Sequence, residues 1–466
     1  MKSAFNKESF FPVSKRELFE FHERPDAFGL LTPPSSNVEV QSTASTLAPS
    51  DDVVRYVVRF LFFRFAFENI HTEYEPHDMF ADEQRRGLFK SWRHEHRFFE
   101  GGWGRFTASR MQDRIEMGHP LLPLFVPFVK QRLKGMFRYR HGITADEVTK
   151  RPEMTNEGEQ LHVVVTGATG LIGRRLVEVL REHDVRVTVL VRDPARAREL
   201  FGDAVACAEW DFTRPEQGDW KTALEGVDSV VHLAGTPLFQ KRWSEAFKRE
   251  MERSRVLGTR QLVEAIAELE DKPESFVSAS ALGIYGTDAT KNVDEESPAA
   301  DDLLARICVN WEREAVKLEE LGVRTTLVRI GIVLSTESGA LKEMLPVFKL
   351  GLGGPMGYPD HYINWIHLED IVRVFAMAIE NTEVRGPLNG VAPNPVTMRE
   401  LAKGIGRVLG RPAIMKYPVA LMKLMIGEAG EYSSGGPRAS GDKLEGLGYR
   451  FFFEQLEPAL VNLLKG

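Results

Sequence analysis

From residue 161 onward, two patterns of apolar and polar residues take turns along the chain. Short continuous apolar runs, typical of strands buried on both faces, are separated by longer stretches with a helical period. The runs are 161–167, 185–193, 229–235, 275–281 and 323–331, and the longest helical stretches are 247–270 and 303–322. Strands that alternate with helices form a parallel, doubly wound sheet. We therefore predict an α/β Rossmann fold for this part.

Residues 1–150 show a different pattern, in which apolar and polar positions alternate with a period of two. The pattern is clearest in 53–63, 65–76 and 88–100. Within the last stretch one strand face would carry Trp92, His94, His96 and Phe98. An amphipathic helix is predicted over 121–142. Strands followed by such a helix indicate an α+β domain.

Composition narrows the class of protein. The chain has 466 residues, 43% of them hydrophobic and 27% charged, as expected for a folded protein. A net charge of −7 argues against a general nucleic-acid binder. We predict no signal peptide and no membrane span, because the most apolar stretch, 56–70, is short and contains Arg59 and Arg64. Two cysteines fit a reducing compartment, so a cytoplasmic location is expected.

The composition changes near residue 150, which suggests a domain boundary. The first 150 residues contain 19 of the 29 phenylalanines. A polar stretch without periodicity follows, and we take residues 151–160 as a linker. The second domain would span residues 161–466, with a C-terminal lobe from about residue 331 that covers a substrate.

A glycine-rich turn joins the first apolar run to the helix after it. Its residues are Gly167, Thr169, Gly170, Leu171, Ile172 and Gly173. Glycines at this spacing allow a tight turn and the close approach of a diphosphate to the free N–H groups of the helix N-terminus. The position between a strand and a helix makes this a specific prediction of a dinucleotide site.

The other cofactor contacts are expected at the ends of the next strands. Arg192 ends the second strand, where an arginine suits the 2′-phosphate of NADP, although the neighbouring Asp193 keeps NAD open. Beyond the third and fourth strands, the adenine and the rest of the cofactor would contact Asp211, Phe212, Leu233, Ala234 and Gly235. We predict NADP(H) as the cofactor.

The motifs together resemble the extended short-chain dehydrogenase/reductases, and within them an atypical epimerase-like (NAD-dependent epimerase/dehydratase) branch. The resemblance covers about residues 161–466 and rests on segments such as TGATGLIG, HLAG, SASALGIYG, RIGIVLS, GLGGPMG and NWIHLED. The first 150 residues resemble the START-like helix-grip domains of the polyketide cyclase type, most of all in 80–98. That resemblance implies an apolar ligand held in a cavity between sheet and helix.

The family's catalytic dyad, Tyr-x-x-x-Lys, is absent from this sequence. Cys308 stands at the tyrosine position and Glu312 at the lysine position, so the usual mechanism cannot be carried over. Ser280, Tyr285 and Cys308 remain as candidate catalytic residues. Tyr285 is the best proton donor by type, since a neighbouring cation can tune its pKa. The alternative is that Tyr285 only caps the strand turn. His94 and His96 share a strand face, so a histidine metal site is conceivable, but no acidic or cysteine spacing accompanies them. No metal is expected, and histidines that line or flank a cavity are the favoured interpretation.

Three functions stay open at this point. The first is an NADP(H)-dependent oxidoreductase or epimerase-like enzyme that acts on a carbinol or carbonyl carbon of an unknown small molecule. The second is a non-catalytic NADP(H)-binding sensor or carrier, which loss of the dyad favours. The third makes the N-terminal domain the principal actor, as a binding module for an apolar ligand.

Overall fold

The computed structural model describes residues 2–33, 38–60, 63–118, 126–149, 160–238, 241–432 and 435–465. These residues form two compact units. The first unit contains the described residues of 1–101 and 107–157 together with the C-terminal end of the chain, and the second contains those of 102–106 and 158–464. The predicted linker, 151–160, lies outside the described residues except for Gln160.

A seven-stranded antiparallel sheet is the framework of the first unit. Its strands are β1 (Lys2–Phe11), β2 (Val38–Ser42), β3 (Val54–Phe60), β4 (Phe63–Glu75), β5 (Met79–Arg86), β6 (Ser91–Gly101) and β7 (Ala108–Gly118). They are ordered β1-β7-β6-β5-β4-β3-β2, so β2 to β7 form a meander and β1 pairs with the last strand. The alternation of apolar and polar residues in the sequence of this unit therefore corresponds to strands in the structure.

The described residues of the first unit form three α-helices, α1 (Lys15–Glu23), α2 (Ala27–Leu30) and α3 (Val126–Thr149). Phe137 of α3 packs in one core cluster with Phe5 and Ile115 of the sheet. The helix predicted over 121–142 extends to Thr149, because Ala145 and Val148 continue its apolar contacts with a second core cluster. Residues 121–125 lie outside the described part of the chain.

The second unit contains a seven-stranded parallel sheet of order β10-β9-β8-β11-β12-β14-β18. The strands of this part of the chain are β8 (His162–Thr166), β9 (Arg186–Val191), β10 (Ala206–Glu209), β11 (Ser229–His232), β12 (Ser275–Ala281), β13 (Asn292–Val293), β14 (Arg324–Ile330), β15 (Ile332–Leu334), β16 (Tyr362–Ile363), β17 (Trp365–His367), β18 (Gly386–Gly390), β19 (Val396–Thr397) and β20 (Arg438–Ala439). The Rossmann prediction is confirmed, and each of the five predicted runs contains a strand.

Helices of the second unit cover both faces of this sheet. The helices of this part of the chain are α4 (Leu171–Glu182), α5 (Pro194–Phe201), α6 (Glu245–Glu268), α7 (Leu303–Ala315), α8 (Ala340–Lys349), α9 (Leu368–Glu380), α10 (Met398–Leu409), α11 (Val419–Ile426), α12 (Ala429–Tyr432), α13 (Asp442–Gly446) and α14 (Leu456–Lys465). Among them, α4 and α9 lie on one face of the sheet and α6 lies on the other. Val163 and Val165 of β8 belong to the core cluster of α4 and α9, whereas Val164 belongs to that of α6. Because helices cover both faces of the sheet, the three central residues of β8, Val163 to Val165, are all apolar. None of the described helices is long and apolar enough to cross a membrane.

Candidate functional site

The glycine turn between β8 and α4 is built from backbone that side chains would block. Gly167 has a φ of 67°, and a Cβ there would lie 2.6 Å from the carbonyl carbon of Leu233. A Cβ on Gly173 would clash with the carbonyl oxygen of Gly167. Gly170 is the N-cap of α4, and its N–H donates to the same oxygen at 3.0 Å. Both outer glycines are therefore required by close approach as well as by the turn.

This turn can hold an anion. The first turn of α4 carries no acidic residue, and Thr169 and Gly170 are exposed. Unpaired N–H groups and the positive end of the helix dipole then face the solvent above the strand edge. A diphosphate is the group that such a turn accommodates best.

Thr166 fixes the neighbouring strand end against the turn. Its hydroxyl oxygen accepts from the N–H groups of Leu233 and Ala234 at 3.2 and 3.3 Å, and it lies 2.7 Å from Nδ1 of His232. Burial lowers the pKa of His232 to about 3, so this ring is neutral and structural. The predicted contacts Leu233 to Gly235 thus lie beside the glycine turn.

Arg192 and Asp193 have different surroundings, although they are neighbours in sequence. Leu190 is the register partner of Thr166, so Arg192 follows β9 at the same sheet edge as the glycine turn. Its side chain is exposed. The Asp193 carboxylate caps α5 by accepting from the N–H of Arg196 at 3.0 Å. A negative side chain already used as a cap is less available to a ribose, which favours the arginine as the ligand of a 2′-phosphate.

Asp211 and Phe212 follow β10. The Asp211 carboxylate accepts from the N–H and hydroxyl of Thr213 at 2.9 and 2.7 Å. Burial raises the pKa of Asp211, but these bonds outweigh it and hold the pKa below its usual value. Phe212 packs at the edge of a core cluster, and its carbonyl accepts from Gln261 at 2.9 Å. Both residues are half-buried at the strand edge.

A buried polar network occupies the positions near the missing dyad. Ser280 on β12 and Asn389 on β18 are both register partners of Arg329 on β14, so three adjacent strands present polar side chains side by side. Arg329 donates from Nε and Nη2 to the two carboxylate oxygens of Glu312, each at 2.9 Å. The Ser280 hydroxyl donates to Glu312 Oε1 at 2.5 Å.

Tyr285 joins the same network from a short 3-10 turn, Leu282–Tyr285. Its hydroxyl accepts from Arg329 Nη1 at 2.8 Å and donates to Asn389 Oδ1 at 2.9 Å. Burial raises the pKa of the phenol, and the charge of Arg329 only partly offsets this. Tyr285 is therefore protonated at neutral pH and linked to Ser280 through Arg329 and Glu312.

Cys308, at the family's tyrosine position, is a buried thiol on α7. Burial, and then the charge of Glu312, raise its pKa to about 12. Arg255 on α6 lies nearby, with its guanidinium 5.3 Å above the ring of Trp311 and its Nη1 donating to the carbonyl of Thr236 at 3.0 Å. The thiol is neutral, so it is a poor nucleophile in this structure.

Sequence reasoning did not assign Arg329 or Asn389 to this site. Glu312 is only 8% exposed. Arg329 is the first residue of the segment RIGIVLS, and a charged residue in an otherwise apolar, buried strand usually has an oppositely charged partner. Together with a glutamate at the family's lysine position, this pattern indicates an ion pair between the two side chains.

The fold and the glycine turn define a Rossmann protein of the dinucleotide-binding class. A model of the NAD dependent epimerase/dehydratase family matches residues 163–389. The epimerase family protein SDR39U1 homolog, chloroplastic, of Arabidopsis thaliana is 37% identical over 314 residues, or 66% of this chain and 87% of that protein. The chain belongs to the NAD-dependent epimerase/dehydratase family.

Two solved structures extend the comparison. A crystal structure of the human epimerase family protein SDR39U1 (isoform 2) with NADPH has 30% identity and a TM-score of 0.59, and the match covers 66% of this chain and 100% of that chain. A crystal structure described as the nucleoside-diphosphate sugar epimerase from Corynebacterium glutamicum has 26% identity and a TM-score of 0.56. That match covers 99% of this chain and 90% of the other, so it includes the N-terminal unit.

Proposed function

We propose that this protein is an NADP(H)-dependent oxidoreductase or epimerase-like enzyme that acts on a carbinol or carbonyl carbon of a small molecule. The observation that carries the proposal is the strand edge around Gly167, where bare backbone and a helix N-terminus meet beside the exposed Arg192. The human relative solved with NADPH supports the choice of cofactor. The two cysteines, both free, are consistent with the expected cytoplasmic location.

Each part of the site has a role in this proposal. The N–H groups at the start of α4 hold the diphosphate, and Arg192 holds the 2′-phosphate. Asp211 and Phe212 border the adenine. The strand end at Leu233 to Gly235 carries the rest of the cofactor on its backbone. When bound, the nicotinamide supplies or accepts the hydride.

For the proton, the assignment of Tyr285 as donor is supported by a cation in contact with it. Arg329 donates to the phenol oxygen, so it would stabilise the phenolate left after the proton has gone. Ser280 reaches the same cation through Glu312. Cys308, a neutral thiol, would have no part in proton transfer.

The second candidate, a non-catalytic NADP(H)-binding protein, is favoured by one observation. The acid at the lysine position, Glu312, is bonded to Arg329 and Ser280, so it is engaged in an internal ion pair. A lysine in that position would hold the nicotinamide ribose in the family's usual mechanism, and a paired carboxylate cannot replace it.

Turnover separates the two candidates. The full chain is incubated with NADPH or NADP⁺ and a panel of carbinol and carbonyl compounds. The nicotinamide absorbance is followed and the products are separated by chromatography, because an epimerase returns the hydride and consumes no net cofactor. Nucleotide sugars are the first compounds to include, because the Corynebacterium structure is described as a nucleoside-diphosphate sugar epimerase. Consumption of NADPH or formation of an epimer that Tyr285→Phe slows at least about 100-fold, within the range for a lost acid–base group, supports the enzyme. Tight NADPH binding without turnover on any compound supports the carrier.

We also propose that the first unit is a START-like helix-grip domain that holds an apolar ligand. The antiparallel sheet, the two helices between β1 and β2 and the long α3 after β7 support this. The aromatic inventory of the unit fits an apolar site. Mass spectrometry of compounds that copurify with the full chain tests it: an apolar compound present in amounts close to one per chain is expected.

A further inference from the structure

A buried group of histidines and carboxylates lies on one face of the sheet in the first unit. On β6, His94 and His96 are two residues apart and so share a face. Asp82 on β5 is the register partner of His94, and Asp113 on β7 is the register partner of His96. His94, His96 and Asp113 are buried, and the Asp82 side chain is 15% exposed. The sheet register thus brings together residues that the sequence separates.

Three of these residues meet the distance requirement for one metal ion. One ligand atom from each of Asp82, His94 and His96 can be chosen so that all three lie within 4.8 Å of one another. In a tetrahedral site, zinc bonds of about 2.0–2.2 Å place the ligand atoms about 3.3–3.6 Å apart. Binding would therefore draw the three side chains together by at most about 1.5 Å between any two ligand atoms.

Neighbouring polar groups hold His94 and Asp82 in orientations that resemble those of metal ligands. Nδ1 of His94 lies 3.4 Å from Oδ2 of Asp82, while its Nε2 is bonded to Oδ1 of Asp113 at 2.9 Å. Metal-binding histidines usually donate their second ring N–H to a carboxylate in this way. Asn69 donates to Oδ1 of Asp82 at 2.7 Å, which leaves Oδ2 facing His94.

His96 faces Asp113 with one of its ring nitrogens. The residue is 3% exposed, and its Nδ1 lies 2.6 Å from Oδ1 of Asp113. A contact of Nδ1 with that carboxylate would leave Nε2 as the nitrogen for a metal ion, as is usual for metal-binding histidines.

The charges also favour a cation. Among the described residues, the ion-pair partners of Asp82 and Asp113 are all histidines, with no lysine or arginine. Because no lysine or arginine balances these two carboxylates, the site can take the positive charge of a metal ion.

We propose that Asp82, His94 and His96 bind one divalent first-row transition metal ion, of the Zn²⁺ type, inside the first unit. Two imidazoles and one carboxylate form a donor set that suits Zn²⁺ or Fe²⁺. Three protein ligands leave a coordination position open, as in sites that bind a further oxygen ligand. Asp113 and Asn69 are positioning residues for this site. The proposal is independent of the cofactor site in the second unit.

Metal binding to the full chain tests this inference directly. Tag-free protein is stripped with a chelator, titrated with Zn²⁺ against a chromophoric competitor, and analysed for metal content after gel filtration. We expect one Zn²⁺ per chain, and visible absorption bands of a low-symmetry site when Co²⁺ replaces it. Less than about 0.2 Zn²⁺ per chain after loading overturns the proposal.

Near-isosteric variants locate the site. Asp82→Asn and His96→Gln should each weaken Zn²⁺ binding at least about 100-fold, the upper range for loss of an outer-shell partner, and remove the Co²⁺ bands. His77→Gln, at a turn outside the cluster, should bind as the unmodified chain does. Zn²⁺ should raise the melting temperature of the unmodified chain and not that of Asp82→Asn, a readout that does not depend on comparing variant stabilities. Unchanged affinity in either ligand variant contradicts the assignment.

Discussion

Arg329→Met should destabilise the second unit more than Tyr285→Phe does. The Arg329 and Glu312 side chains are 8% and 10% exposed, and two bonds of 2.9 Å join them. Arg329→Met keeps the length of the side chain and leaves the Glu312 carboxylate buried without its cation. Breaking a buried pair in this way typically costs about 3–5 kcal/mol. That corresponds to about a 150- to 5,000-fold change in the folding equilibrium.

Two further variants separate the ion pair from the rest of the network. Tyr285→Phe removes a hydroxyl that accepts from Arg329 and donates to Asn389, while Arg329 retains the carbonyl of Glu295 at 3.1 Å. The loss of these two hydrogen bonds should cost about 1–3 kcal/mol, less than the loss of the ion pair. The double variant Arg329→Met/Glu312→Gln carries no unpaired charge, so it should recover much of the loss of the single variant.

Urea unfolding followed by tryptophan fluorescence measures these differences. All tryptophans except Trp92 lie in the second unit, so the signal reports the unit that contains the pair. If Arg329→Met shifts the free energy of unfolding by less than about 1 kcal/mol, the pair behaves like a surface ion pair and the reasoning from burial is wrong.

Three other predictions concern the same unit. Gly173→Ala should abolish dinucleotide binding in a fluorescence titration, because its Cβ would clash with the carbonyl oxygen of Gly167. Gly202→Ala, at a glycine whose Cβ would meet no atom within 4 Å, should leave binding intact. Normal binding by Gly173→Ala would show that the turn is not used. Cys308→Ser should change turnover less than Tyr285→Phe or Ser280→Ala in the absorbance assay, since the pKa of the thiol is about 12; loss of turnover in Cys308→Ser alone, with cofactor still bound, would instead point to a thiol mechanism. Acidification from pH 6.5 toward 3 should lower the free energy of unfolding by up to about 1.4 kcal/mol per pH unit through His232. The unfolded chain takes up a proton at this residue, whereas the folded chain, in which its pKa is about 3, does not. The same dependence of the unfolding free energy on pH in His232→Gln would count against this role.

Features that a few consecutive residues determine could be predicted from the sequence. The Rossmann sheet was predictable because its strands are buried on both faces, so each of them contains a continuous apolar run such as Val163 to Val165. The glycine turn was predictable because the close backbone contacts of the turn require glycine at positions 167 and 173. Arg192 and Asp193 could be placed at a strand end, but the capping role of Asp193 depends on where α5 begins.

The full composition of the polar clusters could not be predicted, for a different reason. Glu312 lies on α7 and Arg329 on β14, and only the parallel register places Ser280 and Asn389 beside Arg329. Likewise the pairing of β5 with β6 brings Asp82 next to His94, so a search for acids near the histidines in sequence could not find it. The helix-grip assignment of the first unit stays a prediction, although its antiparallel sheet and C-terminal helix are present.

Comparison of NADPH and NADH binding tests the central claim most directly. Calorimetric titration of the full chain should give tighter binding of NADPH by about 10- to 150-fold, the range expected of a charge-assisted contact worth about 1.5–3 kcal/mol. Arg192→Ala should reduce that ratio to a few-fold, whereas Arg198→Ala, at an exposed arginine further along α5, should preserve it. Equal affinity for the two nucleotides in the unmodified protein would contradict the account.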